Sequence, residues 1–227
     1  MKNTLAWLEA ALVMAPFIAL VVFWNQIPER VPMHWNIRGE IDGWSTKTTG
    51  MLLLPLVAVG TIILCRVVSS LDPKLRKNLQ KTDRMNKILP ILEVAFAAFF
   101  NAIFAIQLIV ALGYKIAAPR VITWCILIFF AILGNYLPNL RPNYFIGIRT
   151  PWTLQDSGTW RATHRLGGRL MFFGSLLLLV LEFLVNASVF VLLFRHLHAP
   201  ARALVLPLFL ALLPKPWGDA RNDLSPA

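Results

Sequence analysis

Apolar residues come in long blocks along this chain, separated by short polar stretches, and the blocks are too long for the core helices of a soluble domain. A membrane-spanning helix needs about 20 predominantly apolar residues. Runs of that kind extend from Leu5 to Trp24, from Met51 to Cys65 or Val68, from Ile88 to Leu112, from Val121 to Leu137 and from Leu170 to Phe194. A further block, Ala203 to Leu213, is short and contains Pro207; it reads as a sixth span or as a re-entrant or interfacial segment. The pattern predicts an all-α, polytopic integral membrane protein of about six transmembrane helices. The first block follows Lys2 and leads into Asn25-Gln26-Ile27-Pro28 without a small-residue cleavage pattern, which reads as a retained span and not a signal peptide.

Composition removes the main alternative. Of 227 residues, 57% are hydrophobic and 15% charged, with mean hydropathy +0.64, so a globular enzyme domain of ordinary size is excluded and any chemistry sits in short loops or between helices. The net charge of +11 would point to nucleic acid in a soluble protein. Here the basic residues alternate between loops. Segments 70–87 and 139–169 are rich in Lys and Arg and segment 25–48 is nearly balanced, a roughly twofold bias that places the N-terminus and both basic segments in the cytoplasm and 25–48 outside. The charge is then topology and attraction to the lipid bilayer, with no direct nucleic-acid binding. Cys65 and Cys125 lie far apart in apolar runs and argue for neither a disulfide nor a zinc site.

Two loops are patterned. In the outer one, Pro28 and Pro32 hold the backbone extended and Gly39 and Gly43 permit turns. His34, Asn36, Asp42 and Lys47 bring an imidazole, an amide, a carboxylate and an ammonium close together; either they form a site or they hydrogen-bond their own loop, and they fall short of a metal's usual ligand set. In the inner one, Arg149 stands in a Gly-Ile-Arg-Thr-Pro-Trp turn where its guanidinium either fixes the loop or binds an anion. From Thr159 the spacing is helical, with Trp160, His164 and Gly168 on one face. Gly167 and Gly168 allow close approach of a neighbouring helix, and Arg161, Arg165 and Arg169 form a cationic surface beside the membrane.

Within the spans, Glu93 and Glu182 are costly, at a few kcal/mol each in hydrocarbon. Asn186 shares the helix face of Glu182, and Asn101 and Gln107 accompany Glu93. These groups either line a polar pathway, as in a small transporter or ion-conducting protein, or bridge helices. A membrane enzyme using His34 with Asp42, or His164, is a third possibility. The chain has no Gly-rich phosphate loop, no His-Glu-x-x-His and no Ser or Cys nucleophile with an evident base, so no enzyme activity and no cofactor are expected.

Pro32-Met-His-Trp-Asn36, Gly39, Asp42-Gly-Trp44 and Lys47 resemble the N-terminal motif domain often joined to SdpI-type membrane proteins. Asn143-Tyr-Phe-Ile-Gly-Ile-Arg-Thr-Pro-Trp-Thr-Leu154, Trp160, Thr163-His-Arg165 and Gly167-Gly-Arg169 resemble the SdpI domain itself. The resemblance implies a multi-pass protein of the bacterial cytoplasmic membrane that gives immunity to a secreted killing peptide and relays its presence by holding an ArsR-type repressor at the membrane. It marks Pro32, His34, Trp35, Asn36, Asp42, Trp44, Lys47, Asn143, Gly147, Arg149, Thr150, Trp152, Thr153, Trp160 and His164 as candidates for ligand or partner contact, with no catalytic role and no metal. The corresponding organisation is a two-span unit at 1–70, a basic cytoplasmic loop at 71–87, a multi-span SdpI-like domain at 88–214 and a polar tail at 215–227. Nothing in the motifs specifies an oligomeric state.

Overall fold

The computed structural model describes residues 2–36, 38–74 and 83–184. Residues 75–82 of the 71–87 loop, Asn186, the Ala203–Leu213 block and the 215–227 tail lie outside the described residues. The elements in order are helix α1 (Lys2–Phe23), strands β1 (Arg30–Trp35) and β2 (Ile41–Thr46), and helices α2 (Lys47–Leu71), α3 (Asp83–Ala111), α4 (Ala118–Tyr136), α5 (Pro151–Gln155) and α6 (Ser157–Leu184). Among the described residues, five helices are long and apolar enough to cross a membrane. The protein is a polytopic all-α membrane protein, with one small two-stranded sheet among the described residues. Pro16, Pro55 and Pro90 sit inside α1, α2 and α3, a placement that neighbouring helices make tolerable in a span.

The helices run alternately, so the bundle has a hairpin end, where β1 and β2 lie, and a loop end, where residues 137–156 lie. Helix α3 packs against α1, α2 and α4, and α6 packs chiefly on α4. Side chains such as Trp7, Val21, Val22, Leu71 and Phe183 are well exposed on the outside of the bundle, which suits contact with lipid rather than water.

Two of the spans differ in extent from the apolar blocks. The second helix reaches from Lys47 to Leu71 because Thr46 caps it, its Oγ1 accepting from the Thr49 amide. The last begins at Ser157, well before Leu170, because Asp156 provides a cap and nothing between Thr159 and Leu170 breaks the helix. The arginines at 161, 165 and 169 are thus the exposed side of the helix that becomes the span, while Trp160, His164, Gly168, Ser175 and Glu182 form its buried stripe.

Close backbone approach fixes the α4–α6 crossing. A Cβ on Gly134 would lie 2.8 Å from the Gly168 carbonyl oxygen, and one on Gly168 would lie 2.7 Å from the Gly134 carbonyl oxygen and from Pro138. In lipid, where the hydrophobic effect no longer drives helices together, such small-residue contacts provide the packing.

Candidate functional site

At the hairpin end, the strands pair antiparallel with Arg30 opposite Thr46 and Pro32 opposite Trp44, and the register slips on either side of His34. Gly43 lies directly under His34, where a Cβ would meet that of the histidine at 2.7 Å. The slip turns His34 towards Asp42, and His34 Nδ1 lies 2.5 Å from Asp42 Oδ1 with both side chains exposed. Asn36 builds the turn. Its Oδ1 accepts from the Arg38 and Glu40 amides at 2.9 and 3.0 Å and its Nδ2 donates to Glu40 at 2.8 Å. Lys47 is buried and sets its ammonium 4.7 Å from the Trp24 ring centroid, a cation–π contact. Val31, Ile27 and Met51 are buried among Leu20, Phe104 and Leu108. Gln107 of α3 donates to the Pro32 carbonyl at 3.0 Å. The hairpin is therefore anchored on three helices and presents His34, Asp42 and Trp44 outward.

At the loop end, most motif side chains are consumed in holding the backbone. Asn143 is fully buried and makes four bonds: its amide donates to the Arg141 and Ile146 carbonyls, and its Oδ1 accepts from the Phe145 and Ile146 amides. Gly147 has φ +114°, and a Cβ there would collide with His164 Nε2. That nitrogen accepts from the Ile148 amide at 3.1 Å, which leaves Nδ1 as the donor to the Trp160 carbonyl at 2.8 Å. His164 is completely buried and stacked on Trp160, whose Nε1 donates to the Leu140 carbonyl. Both ring nitrogens are engaged, so His164 is a structural post with no free base for the enzymatic alternative. Thr150 and Thr153 form a reciprocal capping box for α5. Arg149 donates to the Tyr144 carbonyl at 2.6 Å, fixing the turn. Asp156 accepts from the amide and hydroxyl of Thr159, and these bonds hold its carboxyl below the usual Asp range. Left exposed are Tyr144, Phe145, Arg149 and Trp152.

The loop is also tied to the start of the basic segment. Asp72 is buried and accepts from the Tyr144 amide at 2.6 Å, and Lys74 reaches the Leu154 carbonyl while its ammonium lies 4.4 Å from the Tyr144 ring centroid.

The intramembrane acids occupy two places. Glu93 joins Glu9 and Arg66, with Arg66 Nη2 2.6 Å from Glu9 Oε1 and Arg66 Nε 3.9 Å from Glu93 Oε2. Glu182 is buried against Arg120, Nε to Oε1 3.3 Å, beside the stacked Trp124 and Phe183. Glu93 belongs with the loop end, where it helps line a cavity of about 470 Å³ that also includes Leu133 of α4, Leu137 just beyond its end and residues 145–148. Arg120 and Leu133 stand about 20 Å apart along α4 at 1.5 Å per residue. The structure thus does not bring Glu93 and Glu182 into one pathway, and Glu182 is sealed in a contact between helices. Opposite charges at matching depths in different spans were the available sign of these pairs.

Comparison with known proteins adds two family models. One described as a domain of unknown function (DUF1648) matches residues 11–59, and one described as the SdpI/YfhL protein family matches residues 139–211. A curated relative, the immunity protein SdpI of Bacillus subtilis strain 168, is 25% identical over 169 residues, covering 74% of this chain and 76% of the relative. Over residues 139–211 the chain is similar to the SdpI/YfhL family. The first model takes in much of α1, the hairpin and the first part of α2, and the second starts at the loop end and continues through α6. Helices α3 and α4, which fall between the two models, supply the surfaces that both matched regions pack on. No solved structure matches the chain.

Proposed function

We propose that this chain is a membrane immunity protein that protects its cell from a secreted killing peptide. The observation that carries the reading is the match to an immunity protein over three quarters of both chains. The geometry supports it. A hairpin clamped to three helices gives a rigid outward surface of His34, Asp42 and Trp44 at one end. At the other end a loop whose polar groups are spent internally leaves Tyr144, Phe145, Arg149 and Trp152 for a partner. The hairpin faces outside and meets the peptide; the N-terminus and the loop end are cytoplasmic, following the bias of basic residues. The loop and the start of the basic segment, which it grips through Asp72 and Lys74, then form the surface for an ArsR-type repressor. The reading assigns no reaction to the chain.

Expression in a strain sensitive to the killing peptide tests this. Survival should rise with the intact chain and fall back for Trp44→Ala and His34→Ala at equal membrane levels. Unchanged survival with expression confirmed removes immunity to that peptide. Reporter fusions after Lys47 and after Trp160 should report opposite sides of the membrane; the same side for both overturns the topology.

A further inference from the structure

We propose that the loop-end cavity binds a hydrophobic cation, an amphiphile whose apolar body fills the space and whose protonated amine pairs with Glu93. The inference stands apart from the immunity reading and its test does not depend on it.

The cavity, about 470 Å³, has walls of Leu64, Leu89, Phe96, Leu133 and Ile148, with Glu93 as its carboxylate. At about 30 Å³ per liquid water it has room for many waters, but hydrocarbon walls offer them few partners, so the space suits an apolar body. Among the described residues, two carboxyl groups, Glu9 and Glu93, face the one guanidinium of Arg66, which gives its close contact to Glu9 at 2.6 Å while lying 3.9 Å from Glu93. The two carboxyls also hydrogen-bond to each other, so a proton held between them stands where a second cation would, and an ammonium bound against Glu93, the carboxyl on the cavity wall, replaces that proton. A carboxylate away from water gains strongly from a charged donor within hydrogen-bonding reach. An amine carried on an apolar tail meets both demands at once, whereas an alcohol meets only the first and a fatty acid adds a like charge.

The full-length protein in nanodiscs is photolabelled with a diazirine-bearing decylamine, in competition with decylamine, decanol and decanoate. Label should fall on peptides containing Leu89–Phe96 and Phe145–Ile148. Decylamine should displace it about tenfold more effectively than the other two, as expected for a bond to a charged group. Glu93→Gln should weaken labelling about tenfold. Leu133→Trp, which keeps the carboxylate and fills the space, should abolish it, and each variant is checked for an unaltered melting profile. Should either variant fail to fold, the competition series on the unaltered protein decides. Decanol competing as well as decylamine, or label spread over lipid-facing residues such as Val21 and Leu177, overturns the proposal and leaves the immunity reading standing.

Discussion

Replacing Gly147 by alanine tests the joint between the loop and α6. The residue has φ +114°, and a Cβ there runs into His164 Nε2. Two costs follow. Holding a non-glycine residue in such a sparsely populated backbone region costs ~1–3 kcal/mol. Displacing the imidazole removes the 3.1 Å bond from the Ile148 amide and strands a buried acceptor, for a further ~1–3 kcal/mol. Gly147→Ala alone should therefore destabilise by about 2–6 kcal/mol, read from unfolding in mild detergent. In a His164→Ala background the ring is already gone and only the backbone cost remains, about 1–3 kcal/mol. The two substitutions should accordingly be less than additive by more than the ~0.5 kcal/mol that separates independent sites from coupled ones. Equal costs for Gly147→Ala in both backgrounds, or a cost under about 1 kcal/mol in the first, would refute the steric argument.

Removing Arg120 as Arg120→Gln strands Glu182 in the bundle and should cost about 3 kcal/mol, the lower end for a broken buried pair because the guanidinium is partly exposed. Adding Glu182→Gln should recover most of it in the same unfolding assay. Gly168→Leu cannot keep the contact with Gly134 and Pro138, so crosslinking between cysteines introduced on α4 and α6 should drop even where the protein still inserts. Asp156, with its carboxyl pKa below the ordinary 3.8, stabilises the fold fully above that value and loses the contribution as pH falls through its lowered folded pKa. Asp156→Asn should remove that acid-side decline in melting temperature and leave the neutral-pH dependence unchanged.

Local periodicity made much of this legible. Apolar block length announced the spans, and the four-residue spacing of Trp160, His164 and Gly168 announced a face that the structure buries. Extension of α6 back to Ser157 was less visible, because a run rich in arginine looks like a loop until its buried side is counted. What the sequence could not display were contacts whose partners are far apart in the chain. Arg66 meets Glu9 across 57 positions, Arg120 meets the Glu182 residue across 62, and Asp72 meets Tyr144 across 72. No period links such residues; only the packing of the helices brings them together. The motif residues also divide in a way that composition conceals. Asn143, Thr153 and His164 spend their polar atoms on the loop itself, whereas His34, Arg149 and Trp152 keep faces turned outward.

The bond from Gln107 to the Pro32 carbonyl bears on the order in which the chain is made. The strands are only a few residues apart, and α1 and α2 flank them, so the hairpin closes as soon as those two helices have crossed the bilayer. Its underside is still open at that moment, since Phe104, Leu108 and the amide of Gln107 belong to a helix synthesised later. The first two spans therefore wait, with an uncovered carbonyl and an apolar seat, for the third to arrive. A ribosome stalled between α2 and α3 would hold a half-finished protein, recognisable to quality-control proteases by that open seat.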